Sequence, residues 1–161
     1  MGYKLIILGC HSATPRVNAH PTAQYLEINS SHFLIDCGEG TPRKMRLNKV
    51  GFSKISAIFI SHLHGDHFFG LIGLISTFGI LNREKELHIH GPKGIKEVIN
   101  IQLKHSKSYV KFKIIFHELN STESELIFED EKVKVYTIPL NHRVYTNGFL
   151  FKEKEKLRKI N

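Results

Sequence analysis

One short segment limits the folds open to this chain more than any other: Ser61–His67, read SHLHGDH, directly follows the apolar run Ile55–Ile60. A continuous apolar run of this length predicts a strand that is buried on both faces of a sheet. Side chains alternate in extended chain, and Gly65 allows a turn after the strand, so the metal-binding side chains of the segment can gather at its end. They belong to His62, His64, Asp66 and His67.

Neutral imidazole and ionised carboxylate groups bind Zn²⁺ at about 2.0 to 2.2 Å, and two metals close together would use such a density of ligands better than one metal. The alternative is a set of solvated loop histidines, which the order His-x-His-x-Asp-His after a buried strand disfavours. A lone histidine is usually exposed on the surface or hydrogen-bonded within the protein. For this reason seven other histidines are not assigned as ligands: His11, His20, His32, His88, His90, His105 and His117. His88 and His90 share one face of a predicted strand and could form an opportunistic metal site, but no completing carboxylate is predicted.

The pattern of apolar and turn-forming residues predicts a mixed α/β chain. The predicted strands are a buried one at Tyr3–Gly9, two within Ala23–Gly38 joined at Asn29–Ser31, and others at Ile55–Ile60, Glu86–His90, Lys111–Glu118, Leu126–Phe128, Lys132–Pro139 and Asn147–Lys152. The predicted helices are Thr41–Val50 with Thr41 as its cap, a buried helix at His67–Leu81, and Gly94–His105. Residues 1–151 are expected to form one unit, followed at 152–161 by a charged tail or the start of a missing segment.

Composition adds two limits on function and location. Lys and Arg outnumber Asp and Glu by 23 to 15, so the formal charge of +8 favours polyanions such as nucleic acid, although many lysines can simply keep a protein soluble. Two cysteines, Cys10 and Cys37, do not make a disulfide framework. We expect both side chains to be buried in the fold and the protein to lie in a reducing compartment. No segment approaches membrane-spanning length, so a cytoplasmic location is predicted and no membrane partner is expected.

Four segments resemble one protein family. FISHLHGDHFFGL closely resembles the His-x-His-x-Asp-His signature of the metallo-β-lactamase superfamily and, within it, the ribonuclease Z family of tRNA 3′-processing endonucleases. LGCHSATP, LIDCGEGT and PLNHRVYTNGF resemble further segments of that family. The resemblance runs from Lys4 to Phe151 and covers the N-terminal half of a typical member. Pro42 stands where a glutamine is usual and Cys10-His11 where Thr-Gly is commoner, which affects loop shape and no ligand.

The resemblance implies a fold, a metal and an activity. The fold would be a metallo-β-lactamase-like αββα sandwich, of which this chain holds about one half. His62, His64 and His142 would bind one zinc, Asp66 and His67 a second, and Asp66 would also be the catalytic proton acceptor. The activity would be that of a zinc-dependent endoribonuclease, in which metal-activated water attacks a phosphodiester and removes the 3′ trailer from precursor tRNA.

The same resemblance implies that the site is incomplete. A bridging aspartate and a further histidine would be expected after His142, yet Arg143–Asn161 contains neither residue type, and Asp36 and Asp130 do not fit the bridging role by position. We therefore expect at most one tightly held zinc and an inactive isolated chain. The expected partner is a second copy, as a homodimer, or the missing C-terminal half. We also expect one sheet with helices on one face and an apolar opposite face.

Two alternatives remain open. One is another hydrolase of the superfamily, acting on a thioester or lactam, because the ligand segment alone does not identify a substrate. The other is a catalytically inactive fragment that binds metal or RNA.

Overall fold

A computed structural model describes residues 2–14 and 16–155. The strands are β1 (Tyr3–Gly9), β2 (Ala23–Ile28), β3 (Ser31–Ile35), β4 (Ala57–Phe59), β5 (Leu87–Pro92), β6 (Ile114–Leu119), β7 (Leu126–Glu129), β8 (Val133–Pro139) and β9 (Asn147–Glu153). The helices are α1 (Thr41–Leu47), α2 (Gly65–Phe68), α3 (Leu71–Ile80) and α4 (Ile95–His105). The described part of the chain contains no helix long and apolar enough to cross a membrane.

The strands form two sheets. Six strands follow the order β1-β2-β3-β4-β5-β6, and β7-β8-β9 form the second sheet. The predicted β2–β3 hairpin is confirmed, and its two-residue turn uses Asn29 and Ser30, whose φ angles of 49° and 69° suit such a turn. Strands β3 to β6 are parallel, so their carboxyl ends meet at one edge of the sheet and bring the loops after β3 and β4 side by side.

Two apolar cores separate three layers. On one face of the six-stranded sheet the helices pack against the strands, as where Leu74 of α3 joins Ile58 of β4 in a buried cluster. On the other face Phe59 of β4 joins Val135 of β8 in a second cluster. The prediction of a single sheet with one uncovered face was wrong, because the last three strands fold back as a second sheet over the middle of the first.

β1 lies at the edge that this second sheet does not cover. Tyr3, Leu5 and Ile7, which we name the β1 stripe, are 60%, 56% and 51% exposed. Tyr3 and Leu5 pair with Ile28 and Leu26, two members of the core between the sheets, so the stripe continues that core into solvent. The prediction of a buried β1 was therefore wrong: its composition is that of a core strand, but the three apolar side chains on one of its faces stay more than half exposed.

The predicted long helix at His67–Leu81 is two helices, α2 and α3, with a break before Leu71. The break lets Gly70 lie against the loop that follows β3, where its N–H donates to the Cys37 carbonyl at 2.9 Å. A Cβ atom at Gly70 would lie 2.1 Å from the Gly38 carbonyl oxygen. The glycine therefore serves a close approach of two backbones, which a pattern of apolar residues does not reveal.

Smaller differences lie at the ends of elements. Helix α1 begins after Gly40, with Thr41 inside the helix and its hydroxyl donating to the Gly38 carbonyl at 2.6 Å, so Thr41 is not the cap. Cys37 is buried as expected, but Cys10 is exposed, which corrects that prediction. Strand β9 extends to residue 153, and residues 156–161 of the predicted tail lie outside the described residues, so the division at residue 151 stays a prediction.

Candidate metal centre

The ligand segment lies where the sequence predicts, directly after the buried strand β4. His62 and His64 occupy the loop after that strand, and α2 begins at Gly65, so Asp66 and His67 stand in the first turn of a short helix. The His67 N–H donates to the His64 carbonyl at 2.9 Å and closes the turn. The backbone thus folds the segment onto itself and brings its side chains to one side.

Three of the predicted ligands converge. His62 Nε2 lies 3.1 Å from His64 Nδ1, and His142 Nε2 lies 3.4 Å from the same His64 atom. One ligand nitrogen from each ring can be chosen so that all three lie within 4.8 Å of one another. His142 comes from the loop between β8 and β9, so the second sheet carries it to the loop after β4. Three imidazoles in this arrangement fit an open zinc site.

The environment of His62 keeps its ring neutral. Burial is the main cause, and the neighbouring His67 and His64 add to it, lowering the pKa of His62 to about 4. The Ser61 hydroxyl lies 3.0 Å from Nδ1 of His62, which leaves Nε2 directed toward the other rings. A neutral ring with one free nitrogen is the form that binds a metal.

Asp66 and His67 form an adjacent pair. His67 Nε2 lies 3.5 Å from an Asp66 carboxylate oxygen, and the His62 and His67 ring centroids are 3.9 Å apart, so the pair lies beside the three converging histidines. Asp66 and His67 are two candidate ligands, which are fewer than a metal position needs, so the second zinc site stays a prediction.

Asp36 is the residue that sequence reasoning missed. Its carboxylate accepts a 2.7 Å hydrogen bond from His67 Nδ1, and it also accepts bonds from the Ser61 N–H at 2.8 Å and the Ser61 hydroxyl at 3.0 Å. Burial opposes charge on His67, but the hydrogen bond and charge of Asp36, together with the charge of Asp66, raise its pKa. Asp36 therefore orients His67 and leaves its Nε2 available to bind a metal.

A signal for this role was present in the order of the strands. Asp36 follows β3, and β3 is the parallel neighbour of β4, so the loops after the two strands must meet. From the sequence, Asp36 was considered only as a bridging ligand, and its position at the end of β3 did not fit that role.

Comparison with known proteins places the chain in a family. The family model described as anti-Pycsar protein Apyc1 matches residues 3–157. A ribonuclease Z from Bacteroides fragilis is 47% identical over 154 residues, which cover 96% of this chain and 51% of the relative. The chain thus spans about half the length of the curated relatives it matches.

Solved structures agree on the fold. The crystal structure of the short form of human tRNase Z superimposes with a TM-score of 0.86 at 32% identity, over 92% of this chain and 64% of that one. The metallo-β-lactamase fold protein YhfI from Bacillus subtilis matches with a TM-score of 0.68 at 19% identity, over 93% of this chain and 58% of that one. The second likeness concerns the fold alone.

Proposed function

The chain belongs to the family described as anti-Pycsar protein Apyc1 and has the metallo-β-lactamase fold of ribonuclease Z, and from this premise we propose that it is the N-terminal half of a precursor-tRNA 3′ endoribonuclease. The observation that carries the proposal is the convergence of His62, His64 and His142, since the third ring comes from a different sheet. Ribonucleases Z of 42% to 48% identity support the RNA substrate.

Each ligand side chain has a role in this proposal. His62, His64 and His142 hold one zinc, while Asp66 and His67 supply part of the binding site for a second. Bound zinc would lower the pKa of a water molecule and stabilise charge on the phosphate oxygens. The Asp66 carboxylate accepts the proton that the attacking water loses.

Positive charge supports a phosphodiester substrate. Arg143 places a guanidinium nitrogen 3.4 Å from His64 Nε2, at the rim of the site. The chain as a whole carries a formal charge of +8. Both features attract a polyanion, and precursor tRNA fits this requirement, with a binding strength that falls as salt increases.

The isolated chain should bind metal but cleave poorly. The bridging aspartate and last histidine expected from the resemblance are not in this sequence, and an error of about 1 Å in the placement of catalytic groups can cost about a hundredfold in rate. The remaining half, or a second copy, would complete the site and cover the β1 stripe beside the edge strand β9. We also propose a cytoplasmic location, where precursor tRNA is made.

The test is a fusion of residues 1–155 to the remaining half of the Bacteroides fragilis ribonuclease Z. The fusion should cleave a 3′-extended precursor tRNA in the presence of Zn²⁺, read on a gel, and the His64→Ala fusion should not. The chain alone should show little cleavage. A folded, zinc-loaded fusion that leaves the precursor intact would overturn the proposal.

The same fusion separates the alternatives. The family description does not name a ribonuclease, so a simple phosphodiester, bis(p-nitrophenyl) phosphate, and thioester and lactam probes are assayed beside the RNA. Hydrolysis of one of these probes without cleavage of the precursor indicates another hydrolase on this fold. Retention of the RNA without any hydrolysis indicates a binding fragment.

A further inference from the structure

A series of hydrogen bonds runs through the metal centre, and the groups at its two ends fix its direction. At one end the Asp36 carboxylate accepts from the Ser61 hydroxyl at 3.0 Å, and an ionised carboxylate can only accept. At the other end a guanidinium nitrogen of Arg143 lies 3.4 Å from His64 Nε2, and a guanidinium can only donate. The tautomers of the two rings between these ends, His62 and His64, follow from this direction.

The assignment of protons starts at Ser61. Its hydroxyl has one proton, which it gives to Asp36, so its oxygen accepts a hydrogen bond from Nδ1 of His62 at 3.0 Å. Nε2 of His62 then carries a lone pair and accepts from Nδ1 of His64 at 3.1 Å. With its proton on Nδ1, His64 has a lone pair on Nε2, the atom to which Arg143 donates. The opposite direction would set two N–H donors against each other at Arg143, so it is excluded.

This direction leaves one proton in the middle of the three converging rings. The nitrogens that converge are Nε2 of His62, Nδ1 of His64 and Nε2 of His142, so a metal held by all three needs a lone pair on each. His62 meets this requirement, because Ser61 holds the proton on its other nitrogen. His64 does not, because its proton lies on the nitrogen that would bind the ion, and Arg143 stabilises that tautomer.

Metal binding therefore requires a rearrangement at His64. The ring loses the proton on Nδ1 to solvent and takes up another on Nε2, so its number of protons is unchanged. Nε2–H and the guanidinium N–H are then both donors, and the hydrogen bond to Arg143 cannot persist. A cation on the ring also repels the guanidinium. A metal ion and Arg143 consequently compete for His64.

A phosphodiester offers Arg143 a different partner. The residue is exposed, and within the part of the chain that the structure describes it forms no ion pair. A guanidinium binds phosphate through two parallel N–H···O bonds. We propose that Arg143 couples metal binding to substrate recognition: it opposes the metal while it is bonded to His64, and it binds a substrate phosphate when a metal has displaced it. The phosphate part rests on the proposed function, and the His64 part does not.

The proposal predicts a change of unusual sign. Removal of a residue that supports a metal ligand lowers metal affinity, typically 10- to 100-fold. Removal of Arg143 should instead raise the affinity for zinc, because it frees His64 to adopt the tautomer that binds the ion. Coupling between two sites is reciprocal, so an anion that draws Arg143 away from His64 should also raise the affinity for zinc.

The first measurement is the tautomer of His64, read from long-range proton–nitrogen NMR spectra at a pH above the ordinary histidine pKa and assigned with His64→Gln. The metal-free chain should carry the proton on Nδ1, and the zinc-loaded chain on Nε2. Metal-free Arg143→Leu should shift toward the Nε2–H form, whereas Arg43→Leu, at an exposed arginine of α1, should match the parent. The proposal is overturned if the metal-free parent carries the proton on Nε2, or if Arg143→Leu leaves the tautomer unchanged.

The second measurement is zinc affinity, from competition with a chelating dye in variants whose folding is checked by circular dichroism. Arg143→Leu should bind zinc about tenfold more tightly than the parent, a change of the size seen for residues beside a ligand, and Arg43→Leu should not differ. Dimethyl phosphate, a small phosphodiester, should tighten zinc binding more in the parent than in Arg143→Leu. Unchanged or weaker binding by Arg143→Leu, or an equal or larger effect of dimethyl phosphate on that variant, overturns the proposal.

These readouts are separate from cleavage. A zinc-loaded fusion that leaves precursor tRNA intact would refute the proposed function, but it would not alter the tautomer of His64 or the zinc affinity of Arg143→Leu.

Discussion

Two glycines three residues apart should respond in opposite ways to the same substitution. Gly70→Ala places a Cβ 2.1 Å from the Gly38 carbonyl oxygen and 2.9 Å from that of Cys37, both backbone atoms that cannot rotate away. The φ of −75° at Gly70 is acceptable for alanine, so the cost is steric. Separating these atoms requires a backbone shift, at about 3 kcal/mol or slightly more. At about 2 to 4 °C per kcal/mol for a chain of this size, the midpoint of unfolding should fall by about 6 to 12 °C.

Gly73→Ala is the matched control. Gly73 lies inside α3, and a Cβ there meets no atom within 4 Å. Alanine in a helix interior is favoured over glycine by about 0.5 to 1 kcal/mol, so the midpoint should rise by about 1 to 4 °C. Thermal unfolding of the metal-free chain, followed by circular dichroism, measures both changes. The steric argument fails if Gly70→Ala unfolds within about 2 °C of the parent or if the two variants lose equal stability.

Three further outcomes are expected. His142→Ala should abolish retention of one zinc per chain after dialysis, measured by elemental analysis; a full complement of zinc in that variant would exclude His142 as a ligand. Because the pKa of His67 is raised in the folded state, its pair with Asp36 stabilises the metal-free chain fully below the ordinary histidine pKa and loses that stabilisation as pH rises through the raised value. Asp36→Asn should remove this part of the pH dependence in denaturant titrations, and an unchanged profile would count against the pairing. Leu5→Lys in the β1 stripe should reduce self-association in light scattering at micromolar concentration, whereas Val17→Lys, at a lone residue that is 97% exposed, should not; equal effects would show that added charge alone is responsible.

Local patterns of apolar and turn-forming residues predicted most helices and strands. They did not predict the contacts between segments that lie far apart in the chain. The β2–β3 hairpin was predictable because Asn29 and Ser30 favour the backbone angles of its turn. The break before α3 was not, because it depends on a contact between Gly70 and Gly38 that neither local sequence shows. The strands of the second sheet were predicted, but their placement was not, because alternation identifies an apolar face and not the face that it meets.

The residues of the candidate site also fall into two groups, those predicted from the sequence and those recognised only in the structure. Adjacent ligands in one segment could be assigned from spacing and resemblance, and the structure brings His62, His64 and His142 together. The role of Asp36 could not be assigned without the order of the parallel strands, since its partners, Ser61 and His67, lie far along the chain. Long-range pairing therefore separates what the sequence predicts from what the structure adds.

The position of His142 affects the rate at which the protein unfolds when a metal is bound. His62 and His64 are attached to the six-stranded sheet, and His142 to the three-stranded one, so an ion held by all three rings is a cross-link between the layers. The layers then cannot separate until a coordination bond breaks, which raises the barrier to unfolding. Metal loading would thus protect the chain kinetically, and chelation would lower the barrier to transient openings that let proteases reach the aromatic core between the sheets.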